Sequence, residues 1–310
     1  MTHAPAGVAE EVGPGLRRVL AANPSPMTGR GTNSYIVGTG EVALIDPGPD
    51  DPAHLAALLA ALGPGERISH IFVTHAHRDH SALAPRLAAA TGAPILAFGD
   101  ATAGRSPLMQ ALAVRETPMG GEGADRAFRP DQALADGEVI TGPDWSLAAC
   151  HTPGHFGNHL CFRLADQIFS GDHVMGWSTS IVAPPDGDMG AYMRSLDRLQ
   201  TLGPRRLWPG HGDPAAAARI GELIAHRRTR ADAILASLGH GPATAAELAH
   251  AIYTDIAPTL LGAATLNVFA HLIELTEGNI ASCEGPIRLG ARFHLPPDAR
   301  KNLSNATGRP

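Results

Sequence analysis

Cysteine is scarce: the 310 residues hold three, Cys150, Cys161 and Cys283, widely spaced and without a C-x-x-C pair. That excludes a disulfide framework and a cysteine-bound zinc, and a reducing cytoplasm is the expected setting. A surplus of positive charge is also missing. With a formal net charge of −6 there is no global attraction for nucleic acid, so such a partner would need a local basic strip. No uninterrupted apolar run reaches the ~18 to 20 residues of a membrane span, because the Ala/Leu-rich segments carry charges or prolines. Residues 1–15 include Glu10 and Glu11 and lack a basic start leading into an apolar run, so neither a secretory leader nor membrane association is expected. What is there is 44% hydrophobic residues, enough for one large core and a second, smaller domain.

The first half alternates. After a loose, flexible lead-in over 1–15, short strands are expected at 16–20 and 34–37, separated by a Pro/Gly-rich loop at 23–31. A strand at 42–45 stops at Asp46-Pro47-Gly48, and Asp51 caps a helix over 52–62 with proline at an early helical position. A strand at 68–73, a helix to about 90 and a strand at 94–98 complete a β-α-β-α-β rhythm. Residues 99–136 read as a partly helical insertion. Strands resume at 139–140, 145–150, 160–164 and 167–170, followed by a helix over 189–202 and a strand at 207–208. Two β-rich halves with helices outside each point to an α/β (α+β) fold, a four-layer αβ/βα sandwich over 16–225. A long helix is expected over 215–238, and Thr244 and Glu247 form a capping-box pattern opening a short helix. A further helix over 260–276 and a hairpin about Gly285-Pro286 follow, the order of a winged helix over 226–295, with a loosely ordered tail over 296–310.

The chemistry concentrates in Thr74-His75-Ala76-His77-Arg78-Asp79-His80, directly after the apolar Ile71-Phe72-Val73. Imidazole and carboxylate together suit zinc and similar divalent ions, and a strand delivering them into a loop gives a rigid support. Other apolar strands end in metal-competent groups too: Asp46, His155 in Thr152-Pro153-Gly154-His155, Asp172 in Ser170-Gly171-Asp172, and His211 in Pro209-Gly210-His211-Gly212. Strands finishing at one edge of packed sheets converge their terminal residues.

An early Asp, T-H-x-H-x-D-H, a later His, an Asp and a final His, in this order, resemble the metallo-β-lactamase superfamily over roughly 16–214. Gly31-Thr32-Asn33-Ser34-Tyr35, Trp177-Ser178-Thr179 and the appended C-terminal module look like the beta-lactamase-like protein 2 group, which is similar to glyoxalase II in its ligand set. The resemblance implies that His75, His77 and His155 hold a first ion, that Asp79, His80 and His211 hold a second, and that Asp172 bridges them. Asp46 is implied behind the ligands, fixing the loop by hydrogen bonds. Two divalent ions are implied, zinc being the expected metal and manganese or iron the alternatives. Such a pair shares an activated water as hydroxide, making the protein a metal-dependent hydrolase without a protein nucleophile, with Asp79 and Asp172 as its catalytic carboxylates.

Several positions keep two readings. His159 either touches substrate or is a hydrogen-bonded core histidine, and Ser178 and Thr179 either line the pocket or belong to a plain loop. Arg30 is a candidate on the substrate side. The resemblance implies a phosphodiester of the single-stranded RNA kind or a thioester or ester, so the partner is a small molecule or a single-stranded nucleic acid. Duplex DNA is disfavoured: 231–295 set Arg288 and Arg292 against six carboxylates, and the helix expected at 260–276 has no Lys or Arg. Alternatives of another class are a non-catalytic binding protein retaining the fold, and a mononuclear-iron enzyme like the persulfide dioxygenases.

Overall fold

In the computed structural model of this chain the described residues are 4–115 and 123–297. Seven strands form the first sheet in chain order: β1 (Ala9–Gly13), β2 (Leu16–Leu20), β3 (Asn33–Val37), β4 (Glu41–Ile45), β5 (Arg67–Phe72), β6 (Ile95–Ala97) and β7 (Gln132–Ala133). Six form the second, also in chain order: β8 (Val139–Thr141), β9 (Ser146–His151), β10 (Leu160–Leu164), β11 (Gln167–Gly171), β12 (Arg206–Pro209) and β13 (Ala215–Ala216). Each begins as an antiparallel meander and gains parallel pairing further on, β4 with β5 in one and β11 with β12 in the other. The helices are α1 (Pro52–Ala60), α2 (Arg78–Ser81), α3 (Ala84–Thr91), α4 (Pro107–Arg115), α5 (Met189–Leu202), α6 (Ala218–Gly239), α7 (Ala245–Ile252) and α8 (Leu261–Glu277). A final hairpin pairs β14 (Ser282–Cys283) with β15 (Phe293–His294).

Strand periodicity divides the side chains between layers. Along β4, Val42 and Leu44 join the core under α1 and α3, whereas Ala43 and Ile45 enter the core between the sheets. The same alternation sends Leu160 and Phe162 of β10 inward between the sheets and Cys161 outward toward α5 and α6. A strand covered on both faces reads as a near-continuous apolar run, as β4 does after Glu41, while β3 is buried at all five positions with Asn33 and Ser34 hydrogen-bonded. The result is helices, sheet, sheet, helices.

Some expectations are corrected. Residues 9–13 are not part of a loose lead-in; β1 pairs along β2 and covers its edge. The helix expected after the histidine loop is two, because the chain re-enters helix at Ala84 with Pro85 in its first turn. Residues 215–216 pair with β12 instead of opening the long helix. Of the insertion at 99–136, α4 and β7 are seen, and 116–122 lie outside the described residues, as does 298–310 of the tail. The twenty residues Pro258–Glu277 have the length and mean hydropathy, 1.3, of a segment able to cross a membrane, closer than the sequence reading allowed. Their Val268, Phe269, Leu272 and Ile273 are core residues packed against α7 and α4.

No linker separates the C-terminal module. Helix α6 runs unbroken past 225, with Ile220, Leu223 and Ile224 in the core over the second sheet and Ile234 and Leu238 in the C-terminal core. Met109 and Leu112 of α4 complete that second core. Ala243, between α6 and α7, pairs with Phe293 of β15.

Phe162 is fully buried between the sheets, with its ring 5.1 Å from that of Phe72. Phe162→Ala should therefore cost about 3–5 kcal/mol, read as a lowered urea midpoint; a loss under about 1 kcal/mol would contradict this placement of the core.

Candidate metal centre and the cavity above it

The parallel pairs set the site. Asp46 follows β4, the histidine loop follows β5, Asp172 follows β11 and His211 follows β12, so four strand ends deliver polar groups to one edge of the sandwich. The β9–β10 turn brings His155 to the same edge. Seven donors gather there in two groups, His75, His77, His155 and Asp172 in one and Asp79, His80 and His211 in the other, each group's ligand atoms within 4.8 Å of one another. The chain is pressed tightly against them at Gly210, where a Cβ would stand 2.5 Å from both Asp172 Oδ1 and His80 Cε1.

Hydrogen-bond partners determine which imidazole nitrogens face inward. Asp46 accepts from the Thr74 amide at 2.8 Å and from Thr74 Oγ1 at 2.9 Å, and lies 2.8 Å from His80 Nδ1. A carboxylate only accepts, so His80 Nδ1 carries its proton. Because the Thr74 hydroxyl spends its own hydrogen on Asp46, it accepts from His75 Nδ1 at 3.0 Å. Carbonyl oxygens do the same for the others, Ile181 for His155 Nδ1 at 2.6 Å and Gly31 for His211 Nδ1 at 3.1 Å. In the neutral imidazoles, all four Nε2 lone pairs then point into the centre.

Those lone pairs face each other or face carboxylates. His211 Nε2 is 3.2 Å from both Asp79 Oδ2 and Asp172 Oδ2, and His80 Nε2 is 3.5 Å from both Asp79 and Asp172. His80 Nε2 and Asp172 Oδ1 are buried without a hydrogen-bond partner. His77 Nδ1 lies 2.8 Å from His75 Nε2 and 3.0 Å from His155 Nε2, converging three imidazoles on one point. This arrangement calls for positive charge between the donors, and the nitrogen and carboxylate set fits divalent cations such as zinc.

The electrostatics divide the two groups. Burial pushes His75 well below the ordinary imidazole value, His77 down to about 3 and His155 down as well, so these rings are neutral ligands. Burial also opposes charge on His80 and His211. There the carboxylates win: Asp79, Asp172 and Asp46 hold His80 well above its usual value, and Asp172 with Asp79 raises His211 to about 10. For Asp79 and Asp172, burial disfavours the anion but His80 and His211 outweigh it, keeping both carboxyls below the usual range.

Above the donors opens a cavity of about 650 Å³. His77, Asp79, His155, Asp172 and His211 form its floor, and Ser178 and Thr179 line it, on the pocket side of their two readings. Two candidates do not reach it. Arg30 is exposed, donates to the Ala4 carbonyl oxygen at 3.2 Å and faces a separate recess, because its loop turns outward before Gly31. His159 is fully buried behind His75, its Nδ1 3.0 Å from Thr152 Oγ1, so it is a core histidine and not a substrate contact.

Other contributors carried no ligand signature in the sequence. Asn33 donates to the Pro209 and Gly212 carbonyls at 3.0 and 2.9 Å and Tyr35 to Pro209 at 2.8 Å, clamping the turn that bears His211. Thr32 Oγ1 donates to Asp79 at 3.2 Å. Asn267 of α8 accepts from the Val182 amide at 3.0 Å, and buried Arg227 of α6 donates to the Ser180 carbonyl, holding from both sides the strand of chain whose Ile181 orients His155. The far wall of the cavity comes from α8, through Gly262, Ala263, Thr265 and Leu266, and from Leu289. Among the described residues, neither Lys nor Arg lines the cavity.

Comparison with known proteins matches residues 27–211 to the metallo-beta-lactamase superfamily. Over 235 residues the chain is 32% identical to lactamase-like protein adaB of Aspergillus niger, covering 74% of this chain and 65% of that relative, just under two thirds of its length. It is 33% identical over 262 residues to the atrochrysone carboxyl ACP thioesterase of Aspergillus fumigatus, covering 77% and 74% of the two chains. Among solved structures, it resembles a metallo-beta-lactamase family protein from Thermus thermophilus at a TM-score of 0.73 and 26% identity, over 92% of this chain and 100% of that one.

Two substitutions test this geometry without removing a donor. Asp46→Asn should weaken metal affinity by about 10–100-fold, measured by competition against a chelator, with the far-UV circular dichroism unchanged. Gly210→Ala should weaken it as well, since the added methyl displaces Asp172 or His80; wild-type affinity in both variants would contradict the assigned contacts.

Proposed function

The chain belongs to the metallo-beta-lactamase superfamily, and from that premise we propose that it is a metal-dependent thioester hydrolase acting on an organic acyl thioester. The observation that carries the reading is the cavity: five of the seven metal-competent donors at its floor, largely apolar walls around them, and neither Lys nor Arg among its described lining residues. A thioester needs an electrophile-activating floor and an apolar seat for its acyl group, and both are present. The relative named as a carboxyl ACP thioesterase supports the same substrate chemistry.

His75, His77 and His155 would hold one divalent ion and Asp79, His80 and His211 a second, with Asp172 between them and zinc the metal that the donor set favours. When bound, such ions polarise the carbonyl and lower the pKa of a water molecule. The side chain of Asp79, 26% exposed against 10% for Asp172, is the carboxylate placed to accept a hydrogen bond from the attacking water. Asp172 sits deeper, facing His80 Nε2 at 3.5 Å and His211 Nε2 at 3.2 Å, where it would share the cation with them. The hydroxyls of Ser178 and Thr179 on the cavity wall provide hydrogen bonds for the polar arm of a thiol leaving group.

A phosphodiester substrate is disfavoured here, because an RNA strand in the cleft would meet no cationic side chain among the described lining residues. A mononuclear iron centre would leave the Asp79, His80 and His211 triad without the cation that its inward nitrogens call for. A non-catalytic role is disfavoured by the completeness of the donor set. The C-terminal module, whose order of helices, hairpin and the Ala243 pairing is that of a winged helix, serves as a wall of the cavity, and α8 carries no Lys or Arg with which to read a duplex. The Thr32 to Tyr35 clamp and the lining residues Ser178 and Thr179 support placing the chain with the beta-lactamase-like protein 2 group.

Zinc-loaded protein should hydrolyse acyl thioesters of N-acetylcysteamine and leave a single-stranded RNA oligomer intact. His77→Ala should retain its fold by circular dichroism, lose metal and lose thioester hydrolysis. RNA cleavage without thioester cleavage would overturn the reading.

A further inference from the structure

We propose that the first turn of α8, with Gly262 at its centre, is the acyl-binding wall, and that it selects bulky apolar acyl groups over small ones such as acetyl. The inference rests on the thioester reading above and adds the part of the substrate that the cavity recognises.

Gly262, Thr265 and Leu266 are spaced i, i+3 and i+4, so they share one face of α8, and all three line the cavity. Met27, Met175 and Ile181 add apolar lining to the same cavity. Its polar lining comes from Ser178, Thr179, Asp186 and the metal-competent floor. A thioester with its carbonyl over that floor has two arms to place. The thiol arm, if it carries amides, suits the hydroxyls; the acyl arm suits the apolar space in front of α8.

Gly262 keeps that space open. Glycine in a helix costs stability relative to alanine and is usually explained by a positive φ or a close neighbour. Neither applies: Gly262 is not among the glycines with positive φ, and a Cβ built there meets no atom within 4 Å. No backbone or packing requirement for glycine remains; Gly262 is exposed and lines the cavity, so its lack of a side chain leaves the rim of that volume open. Two neighbouring lining positions are also modest in size, Ala263 and Thr265. A cavity of about 650 Å³ lies within the range that accommodates a whole organic ligand and is far larger than an acetyl group requires.

The test compares acetyl, hexanoyl, dodecanoyl and 1-naphthoyl thioesters of N-acetylcysteamine on the zinc-loaded wild type, Gly262→Ala and Gly262→Phe. In the wild type kcat/KM should rise with acyl size, by up to roughly fourfold per buried methylene. In Gly262→Phe the ratio of dodecanoyl to acetyl kcat/KM should fall by at least about tenfold, while Gly262→Ala shifts it little. Binding of the non-hydrolysable amide N-dodecanoyl-N′-acetylethylenediamine, followed by calorimetry, should weaken in Gly262→Phe by a similar factor. Thioester hydrolysis with no acyl-size preference, or a ratio unchanged in a folded Gly262→Phe, would overturn the wall and leave the hydrolase reading in place. Absence of thioester hydrolysis, with amide binding that Gly262→Phe abolishes, would instead overturn the thioester reading and support the wall as an apolar binding surface. Failure of the amide to bind the wild type would overturn the wall.

Discussion

The centre depends on one carboxylate. Asp46 ends β4 with a positive φ of 54°, a conformation that Asp tolerates better than most residues but adopts at some cost. In that turn it accepts from the Thr74 amide and hydroxyl and binds His80 Nδ1, joining the ends of two parallel strands to the short helix α2. Through the Thr74 hydroxyl the same carboxylate also sets the proton of His75. One side chain thus determines which nitrogen two imidazoles present, one in each of the two donor groups. Without it, both rings would be free to take the other tautomer or rotate, and the donors would no longer converge.

The fold supplies the convergence. In open parallel arrangements functional groups collect beyond the carboxyl ends of strands, and here two sheets packed face to face each contribute such ends. Packing of β3 against the second sheet through Tyr35, whose hydroxyl bonds the Pro209 carbonyl, registers one set of strand ends against the other. The C-terminal module then acts at two depths. Asn267 reaches inward to the chain segment that orients His155, while the first turn of the same helix faces the cavity. A change in α8 is therefore able to alter the donor cluster or the cavity above it, depending on which face it touches.

Much of this was legible in the amino-acid order because ligand chemistry is local. The heptad from Thr74 to His80 and the Gly-flanked His155, Asp172 and His211 each combine a strand end with a donor, and that pattern survives without coordinates. The layered fold was readable for a similar reason, since strand alternation and helix spacing are short-range signals. What was not readable depends on distance. Arg30 sits in a loop near the site in sequence yet turns outward, and His159 is four residues from a donor yet lies behind it. The lining by Gly262, Ala263, Thr265 and Leu266 follows from packing of α8 over an edge made more than fifty residues earlier, which no local pattern encodes. The strand at Ala9–Gly13 escaped because an edge strand with one exposed face resembles a polar lead-in.

The proposed thioester hydrolysis requires that this donor set carry metal. The most direct measurement is a titration of zinc into chelator-stripped protein, recording thioester hydrolysis and bound metal together. The rate should be at background in the stripped protein, climb with added zinc and level off at two equivalents per chain. Full activity before any metal is added, or no activity at saturating occupancy, would contradict it.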